Sequence, residues 1–368
     1  MTRIYLIRHA EAEGNLYRIA QGQQNSNLTD RGWRQVRALE RRFADIPIDA
    51  VYASDLYRTC ATASAIYQPK GLPLHRVKAL REINVGGWEQ RTWGDIYRED
   101  PEQMDNFSNH FTKWHIDGAE TPQQVLDRVE AAVRAIAAEN EGRTVAVFSH
   151  GYAIRVLLAH LQGYSMETAG QTPHGDNTAV SLLEWENGTL RVIFRDDNSH
   201  LQTPEFLAGE KVRKRANALE PGLWFAPLRL PEQSLWLSGL VGGNWPDDAP
   251  AFDPARLARD AAARTTLVGY LGDEPVGAVQ TGEEPGWITL ACIRPDCRKR
   301  GFGVQLIGQA VLLCRQGGGD RLHVRLPKGS PVGSFFTDYG FHPAKEDGGW
   351  TVWEKDISFS PEFYTEIV

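Results

Sequence analysis

The sequence is poor in cysteine and has no long apolar stretch. Its four cysteines, at positions 60, 292, 297 and 314, show no CxxC spacing, which excludes a small scaffold built on disulfides. We expect all four to be reduced thiols. No uninterrupted apolar stretch approaches the roughly eighteen residues of a membrane span, and residues 2–8 are typical of a core strand rather than of a secretory signal. These absences predict a cytoplasmic protein without a membrane partner.

The chain also lacks an excess of basic residues. Its formal net charge of -7 and pI near 5.8 give no broad attraction to nucleic acid, so an anion site has to rest on individual arginines. With 42% hydrophobic and 24% charged residues, the composition is that of a globular protein. At 368 residues the chain exceeds one compact core, which predicts two domains. We place them at residues 1–200 and 221–357, with a connector at 201–220 and a tail at 358–368.

The first half alternates strand-like and helix-like segments, an order that predicts a doubly wound α/β domain with a largely parallel sheet. The predicted strands are 4–7, 50–53, a short piece near 74, 144–148, and a closing hairpin of 179–185 and 190–195. The predicted helices are one that Thr29 caps, then 56–67, 122–139 and 152–161.

The second half has a different pattern, with more strands and fewer helices. A hairpin of 265–270 and 276–280, a strand at 287–293, a helix at 303–315 and strands at 322–326 and 350–355 are predicted. This change of pattern predicts a separate second domain.

Arg8 and His9 directly follow the first predicted strand. Open α/β sheets bind ligands at the carboxyl ends of their strands, so we expect both side chains in a pocket there. A neutral imidazole nitrogen can attack phosphorus, and neighbouring cations stabilise charge on the phosphoryl oxygens. His9 is therefore a candidate nucleophile and Arg8 a candidate phosphate ligand. For this pair alone, an ordinary surface or hydrogen-bonded histidine remains the alternative.

Three further segments support a phosphoryl-transfer site. Arg58 lies in the first turn of a predicted helix, where backbone N–H groups and a guanidinium can both hold phosphate. His150 follows the strand 144–148 directly, at a second strand end. Glu82, shortly before the sequence Gly-Gly-Trp-Glu at 86–89, supplies a carboxylic acid.

In this order, the four motifs resemble those of the histidine phosphatases of the phosphoglycerate-mutase-like family, over about the first 200 residues. The resemblance implies a doubly wound, three-layer domain that hydrolyses a small phosphate monoester through a phosphohistidine, without metal or cofactor. It implies His9 as the nucleophile and Glu82 as the acid that protonates the leaving oxygen. Arg8, Arg58 and His150 would hold the phosphoryl group. The substrate-binding residues that it implies are Asn15, Gln21, Gly22 and Gly151.

Two alternatives stay open for this half. A phosphoglycerate-type mutase would use the same pocket to return phosphate to a different hydroxyl. The short stretch between Arg58 and His150, and the segment from Glu82 to Glu89, favour the phosphatase. A scaffold or binding protein with inactive pockets is the alternative from another class.

A second anion site is indicated by Arg-Lys-Arg-Gly-Phe-Gly at 298–303, since a Gly-containing loop before a helix presents unpaired N–H groups. With the strand 287–293 and the segment 335–341, this loop resembles the acyl-coenzyme-A loop of GCN5-related N-acetyltransferases, over about residues 220–357. The resemblance implies a mixed, mostly antiparallel sheet, acetyl-CoA or CoA as cofactor, and a small amine as acceptor. The cofactor-binding residues that it implies are Ala291, Cys292, Ile293, Arg298, Lys299, Arg300, Gly301, Phe302, Gly303 and Val304.

One position departs from that family. Phe336 stands where many members have a tyrosine that protonates the departing thiolate, and Tyr339 follows three residues later. The sequence thus leaves two alternatives, an active acetyltransferase that makes the chain bifunctional and a degenerate domain that supports assembly or recognition. It does not indicate the oligomeric state.

Overall fold

The computed structural model describes residues 1–210, 222–243 and 253–366, and the chain forms two sheets. The strands of the first part are β1 (Thr2–Arg8), β2 (Ala50–Ala53), β3 (Leu74–Arg76), β4 (Thr144–Ser149), β5 (Val180–Glu186) and β6 (Thr189–Asp197). Its helices are α1 (Glu13–Tyr17), α2 (Asp30–Phe43), α3 (Tyr57–Tyr67), α4 (Trp93–Glu99), α5 (Pro101–Asn109), α6 (Pro122–Glu139), α7 (Gly151–Leu161) and α8 (Pro204–Ala208).

The strands of the first sheet follow the order β3-β2-β4-β1-β5-β6. The strands β3, β2, β4 and β1 are parallel, whereas β5 and β6 add an antiparallel edge. The apolar runs of β1 and β4 are buried on both faces: Ile4 and Val147 face one core, Ile7 and Phe148 the other. Because both faces of these strands are buried, their sequences are continuous hydrophobic runs and do not alternate with polar residues. The predicted α/β class is confirmed.

Local signals explain where the helices begin. Thr29 accepts a hydrogen bond from the Gly32 amide at 3.0 Å and caps α2 as predicted. The helix α6 begins at Pro122 behind Thr121, which forms a capping box with Gln124. Its bounds are those predicted from the sequence.

The second part contains a mixed sheet in the order β12-β13-β11-β10-β9-β8-β7. Its strands are β7 (Trp224–Pro227), β8 (Thr266–Leu271), β9 (Glu274–Thr281), β10 (Trp287–Ile293), β11 (Arg321–Pro327), β12 (His342–Asp347) and β13 (Trp350–Asp356). Its helices are α9 (Ser234–Gly242), α10 (Pro254–Ala263), α11 (Phe302–Gln316) and α12 (Gly333–Thr337). The pair β10–β11 is parallel and its neighbours are antiparallel, which confirms the predicted mixed and mostly antiparallel sheet.

Helix α11 also forms the junction between the two parts. Gly308 faces Tyr17 of α1 so closely that a Cβ atom there would lie 2.5 Å from the Tyr17 Cβ. At the end of the same helix, the guanidinium of Arg315 donates to both carboxylate oxygens of Glu13, at 2.8 and 3.2 Å. The two domains are therefore packed together through complementary side chains.

The described part of the predicted connector, 201–210, is folded onto the first domain. Phe206 of α8 is buried against α2, and Glu210 forms ion pairs with Arg31 and Arg34. The rest of the predicted connector, 211–220, lies outside the described residues. All four cysteines are free thiols, and in the described part of the chain no helix combines the length and apolarity needed to cross a bilayer.

Candidate active sites

Three strand ends meet at one edge of the first sheet. Because β1 and β2 flank β4 in parallel, the segments that follow them emerge side by side. The His9 amide donates to the Ser149 carbonyl at 3.0 Å, and the Ser54 amide donates to the Phe148 carbonyl at 2.9 Å. The rings of His9 and His150 lie 5.3 Å apart between centroids. The sheet thus brings together residues that are 141 positions apart in the sequence.

His9 is held as a neutral ring with a defined tautomer. Its Nδ1 lies 2.7 Å from the carbonyl oxygen of Ala10, and since a carbonyl only accepts, Nδ1 carries the hydrogen. Burial, then the guanidinium groups of Arg58 and Arg8, lower the pKa of His9 well below its usual range. The ring is 4% exposed. Its Nε2 therefore keeps a free lone pair at neutral pH, as a nucleophile requires.

Arg58 lies in the first turn of α3, as predicted, and is 1% exposed. Its two terminal nitrogens donate to the carbonyl oxygens of Gly22 and Gln24, both at 2.8 Å. Burial lowers the pKa of Arg58 to about 10, so the group remains charged at neutral pH. The two hydrogen bonds fix the guanidinium, and its buried Nε has no hydrogen-bond partner among the described residues.

His150 presents a second fixed imidazole. Its Nε2 lies 2.9 Å from the Ser54 hydroxyl, which already accepts from the Leu56 amide and can donate to the ring. Burial and Arg58 lower the pKa of His150 well below its usual range. Its Nδ1 is a buried atom that is unpaired within the described part of the structure.

Arg8 completes the group. One terminal nitrogen donates to the Gly175 carbonyl and lies 3.3 Å from Nδ1 of His174. The buried Nε of Arg8 has no hydrogen-bond partner among the residues that the structure covers, and the same is true of Nε of Arg58 and Nδ1 of His150. The unpaired nitrogens thus come from three separate segments, and their residues act on His9: Arg58 and Arg8 through charge, and His150 through a neighbouring ring. Leaving one buried donor unsatisfied costs about 1–3 kcal/mol, which an oxyanion would recover.

Glu82 is placed at the amino end of α7. Its carboxylate accepts from the amides of Tyr152, Ala153 and Ile83, each at 3.0 Å. Arg128 donates to the Glu82 carbonyl at 2.9 Å and braces this loop. Burial lowers the pKa values of Arg8 and Arg58, and the Glu82 carboxylate partly opposes this by charge attraction, which places it next to the same cations.

Three of the four predicted substrate-binding residues, Asn15, Gly22 and Gly151, contact members of this group or the loops that hold them. Asn177 donates to the His9 carbonyl at 3.0 Å and to the Asn15 side chain at 3.3 Å, and so links Asn15 to the loop that follows β1. Gly22 contributes the carbonyl that holds Arg58. Gly151 lies so close to Arg8 that a Cβ there would be 3.2 Å from the guanidinium carbon.

Gln21 lies apart from these residues. Its Oε1 accepts from the Ser26 hydroxyl at 3.0 Å, and its side chain lines a cleft of about 490 Å³ between the two domains. Asn25 and Arg315 line the same cleft. The structure thus places Gln21 beside the domain junction.

The second predicted site is built by β10 and α11. The parallel pairing of β10 with β11 covers Trp287 and Ile288 in the described structure, and 291–293 then pair with β9. The loop 298–301 leads from there into α11, with Lys299 and Gly301 both at positive φ. No side chain of the described residues caps this helix. The first N–H groups of α11 therefore remain available to an anion.

Phe336 is 3% exposed and packs edge-on against Phe341 at 5.1 Å. It belongs to the core of the second domain and carries no hydroxyl. Tyr339 contacts Phe335 and lines a small cleft that also contains Glu11 and Asp30 of the first domain. Its side chain is thus directed to the domain junction.

Residues 4–198 match the sequence model described as the histidine phosphatase superfamily (branch 1), which is more than half of the chain. The chain belongs to the histidine phosphatase superfamily. Residues 233–341 match the model of the acetyltransferase (GNAT) family, so this histidine phosphatase also contains a GNAT domain.

Relatives of this histidine phosphatase match its first domain. Proteins named "Probable phosphoglycerate mutase GpmB" from Salmonella typhi and Shigella boydii serotype 18 are 30% and 32% identical over 209 residues, which is 55% of this chain and 97% of each of them. The solved structure of Bacillus stearothermophilus YhfR is 30% identical, covers 55% of this chain and 100% of that one, and has a TM-score of 0.53. "Mycobacterial hydrolase 1" shares the fold, at 23% identity and a TM-score of 0.50, over 53% of this chain and 98% of that one.

Sequence reasoning missed three contributors to the phosphatase site. His174 contacts Arg8, and Asn177 bonds the His9 carbonyl, yet both lie in an irregular loop without a periodic pattern. Glu89 accepts from the amides of Gly22 and Gln23 at 3.1 and 2.8 Å and fixes the loop that holds Arg58. Of these three, Glu89 had a signal in the sequence, because it belongs to a motif that also contains two glycines and a tryptophan.

Proposed function

We propose that the first domain hydrolyses a small phosphate monoester in two steps. His9 Nε2 forms a bond to phosphorus while the bond from phosphorus to the leaving oxygen breaks, and Glu82 donates a proton to that oxygen. Water then attacks the phosphohistidine, Glu82 takes up a proton from it, and the phosphorus–nitrogen bond breaks. Phosphate is released and both residues return to their first state.

One observation carries this proposal. A neutral, tautomer-fixed imidazole lies among Arg8, Arg58 and His150, each of which has one buried nitrogen without a partner within the described residues. Donors arranged around a nucleophile are what a transferring phosphoryl group needs, because its charge spreads over the equatorial oxygens. In this scheme the protein's own cations supply the positive charge.

Trapping the phosphoenzyme tests the proposal. Brief incubation with a labelled phosphate monoester, followed by a quench in alkaline denaturant, should leave a label on the protein that is stable in base and lost in acid. The variant His9→Ala should carry no label and lose activity by on the order of 10⁴-fold or more, because its nucleophile is gone. The exposed His115→Ala serves as the control and should label normally. Full hydrolysis by His9→Ala would contradict the proposal.

A mutase is a second candidate, because the relatives from Salmonella and Shigella are named probable phosphoglycerate mutases. The two activities differ in whether the phosphohistidine passes its phosphate to water or to a hydroxyl of the bound acid. We expect a phosphorylated three-carbon acid to release inorganic phosphate. Exchange between its isomers without phosphate release would favour the mutase.

For the GNAT domain we propose binding of acetyl-CoA or CoA and acetyl transfer to a small amine. The uncapped start of α11 and the loop with Gly301 at a φ of 81° would hold the pyrophosphate. Calorimetry with CoA and acetyl-CoA tests this, and Gly301→Val should weaken binding because a β-branched residue resists positive φ. If neither CoA nor acetyl-CoA gave a heat of binding, the proposal that this domain binds the cofactor would be refuted.

Binding and transfer are separate questions in this domain. Phe336 offers no proton for a departing thiolate, and Tyr339 points to the domain junction. Heat of binding without acetylation of any amine in a panel would favour a domain that supports assembly or recognition. The four free thiols agree with the cytoplasmic location that we propose.

A further inference from the structure

The segment after the second sheet returns to the phosphatase domain. Residues 357–366, here called the tail segment, follow β13 and lie outside both family matches. The segment starts at α11, where Arg315 donates to the Ile357 carbonyl at 2.8 Å. Asn27 of the phosphatase domain then donates to the carbonyls of Ile357 and Ser358, at 3.2 and 2.9 Å.

Two aromatic side chains anchor the tail segment beside Arg58. Phe363 is 7% exposed and belongs to the hydrophobic core of the phosphatase domain. Its ring centre lies 5.8 Å from that of Tyr57 and 6.0 Å from that of Trp33. Phe359 approaches Tyr57 more closely, at 5.1 Å. Tyr57 is the first residue of α3 and directly precedes Arg58.

The loop that holds Arg58 contacts the same segment. Asn25 accepts from the Tyr57 amide at 2.8 Å and donates to the Thr365 carbonyl at 3.2 Å. The preceding residue, Gln24, provides one of the two carbonyl oxygens that accept hydrogen bonds from the Arg58 guanidinium. The tail segment therefore touches both the helix start that carries Arg58 and the loop that fixes its head group.

We propose that the tail segment is a positioning element for Arg58, so that the phosphate pocket takes its final geometry only when this segment is docked. Phe359 and Phe363 are the positioning residues, acting through Tyr57. The inference rests on the proposed function, which assigns phosphate binding to Arg58. In addition, a segment beyond the GNAT domain determines the phosphate affinity of the first domain.

Deleting residues 358–368 tests the proposal, with inorganic phosphate as the calorimetric probe. Phosphate affinity should fall by about 10- to 100-fold, because a displaced Arg58 loses a charge-assisted hydrogen bond to the anion. A synthetic peptide of residues 358–368 should restore it. Phe363→Ala should show a smaller loss, and Phe363→Leu, which keeps most of the apolar volume, should retain affinity.

Phe206→Ala is the matched control. It also removes a buried ring that docks a peripheral segment on the phosphatase domain, but on α2, away from Tyr57. It should lower thermal stability while leaving phosphate affinity unchanged. Equal losses of affinity in Phe206→Ala and Phe363→Ala would overturn the inference, since general destabilisation would then suffice. Should the deletion variant not fold, the point variants decide: an unchanged affinity in Phe363→Ala refutes the positioning role. Failure of the proposed function differs from both, because it appears as absent turnover and labelling in the full chain.

Discussion

Replacement of Gly151 by alanine tests the geometry of the phosphate pocket with a single methyl group. The added Cβ would lie 2.8 Å from Cε1 of His174 and 3.2 Å from Cζ and Nε of Arg8. The first distance is too short to persist, so His174 has to move. Because His174 contacts the same guanidinium at 3.3 Å, its displacement and the direct contact both act on Arg8.

The expected loss follows from that displacement. A shift of about 1 Å in a positioning group costs up to about 100-fold in rate, so we expect kcat/KM to fall between about 10- and 100-fold. This corresponds to about 1.4–2.7 kcal/mol of transition-state stabilisation. Global stability should change by less than about 1 kcal/mol, because alanine in a helical backbone restricts the unfolded chain and partly offsets the crowding.

The assay is steady-state hydrolysis of p-nitrophenyl phosphate, combined with thermal unfolding of the same samples. Gly87→Ala is the matched control, since a Cβ there would meet a single atom, Cγ2 of Ile116, at an ordinary 3.9 Å. It should retain its activity. A kcat/KM of Gly151→Ala within two-fold of the unchanged protein would refute the reasoning, as would a loss of activity that merely follows a loss of folded protein.

Other expected outcomes concern pH and domain packing. Burial lowers the pKa of His200 to about 4. The unfolded chain therefore binds more protons than the folded protein between pH 6.5 and 4, and the free energy of unfolding falls as the pH drops. In urea titrations, His200→Gln should reduce this slope by up to ~1.4 kcal/mol per pH unit. Since the pKa of His9 is also lowered, kcat/KM should show no loss from protonation of this ring between pH 8 and 6.5. Gly308→Ala should crowd Tyr17 and lower the free energy of unfolding by ~1–3 kcal/mol, as measured by calorimetry. Gly239→Ala has open space around the added methyl group and should leave the free energy of unfolding unchanged.

The sequence was most informative where function depends on local order. The position of His9 and His150 directly after apolar strands was sufficient to predict that both lie at the same sheet edge, because parallel strands share an orientation. The Thr29 cap and the bounds of α6 are likewise decided by neighbouring residues. The predicted site residues His9 and His150 therefore lie at the ends of strands that neighbouring residues in the sequence are sufficient to predict.

Long-range contacts were not predictable in the same way. Strand β12 was missed because all of its residues are exposed and it contains proline and charged residues, so it lacks the alternation by which strands are recognised. It forms only because β13 offers a partner edge. The contact of Phe363 with Tyr57 joins residues about 300 positions apart, and no local pattern indicates it.

The return of the tail segment to Tyr57 has a consequence for biosynthesis. Residues 357–366 leave the ribosome after the GNAT domain, so the face of α3 beside Arg58 stays uncovered while that whole domain is being made. A nascent chain would then display a folded but uncovered phosphatase domain for roughly 8–30 s at ~5–20 residues per second. Interruption of synthesis in that interval would release a fragment that contains His9 and Arg58 but lacks the segment that we propose to position Arg58.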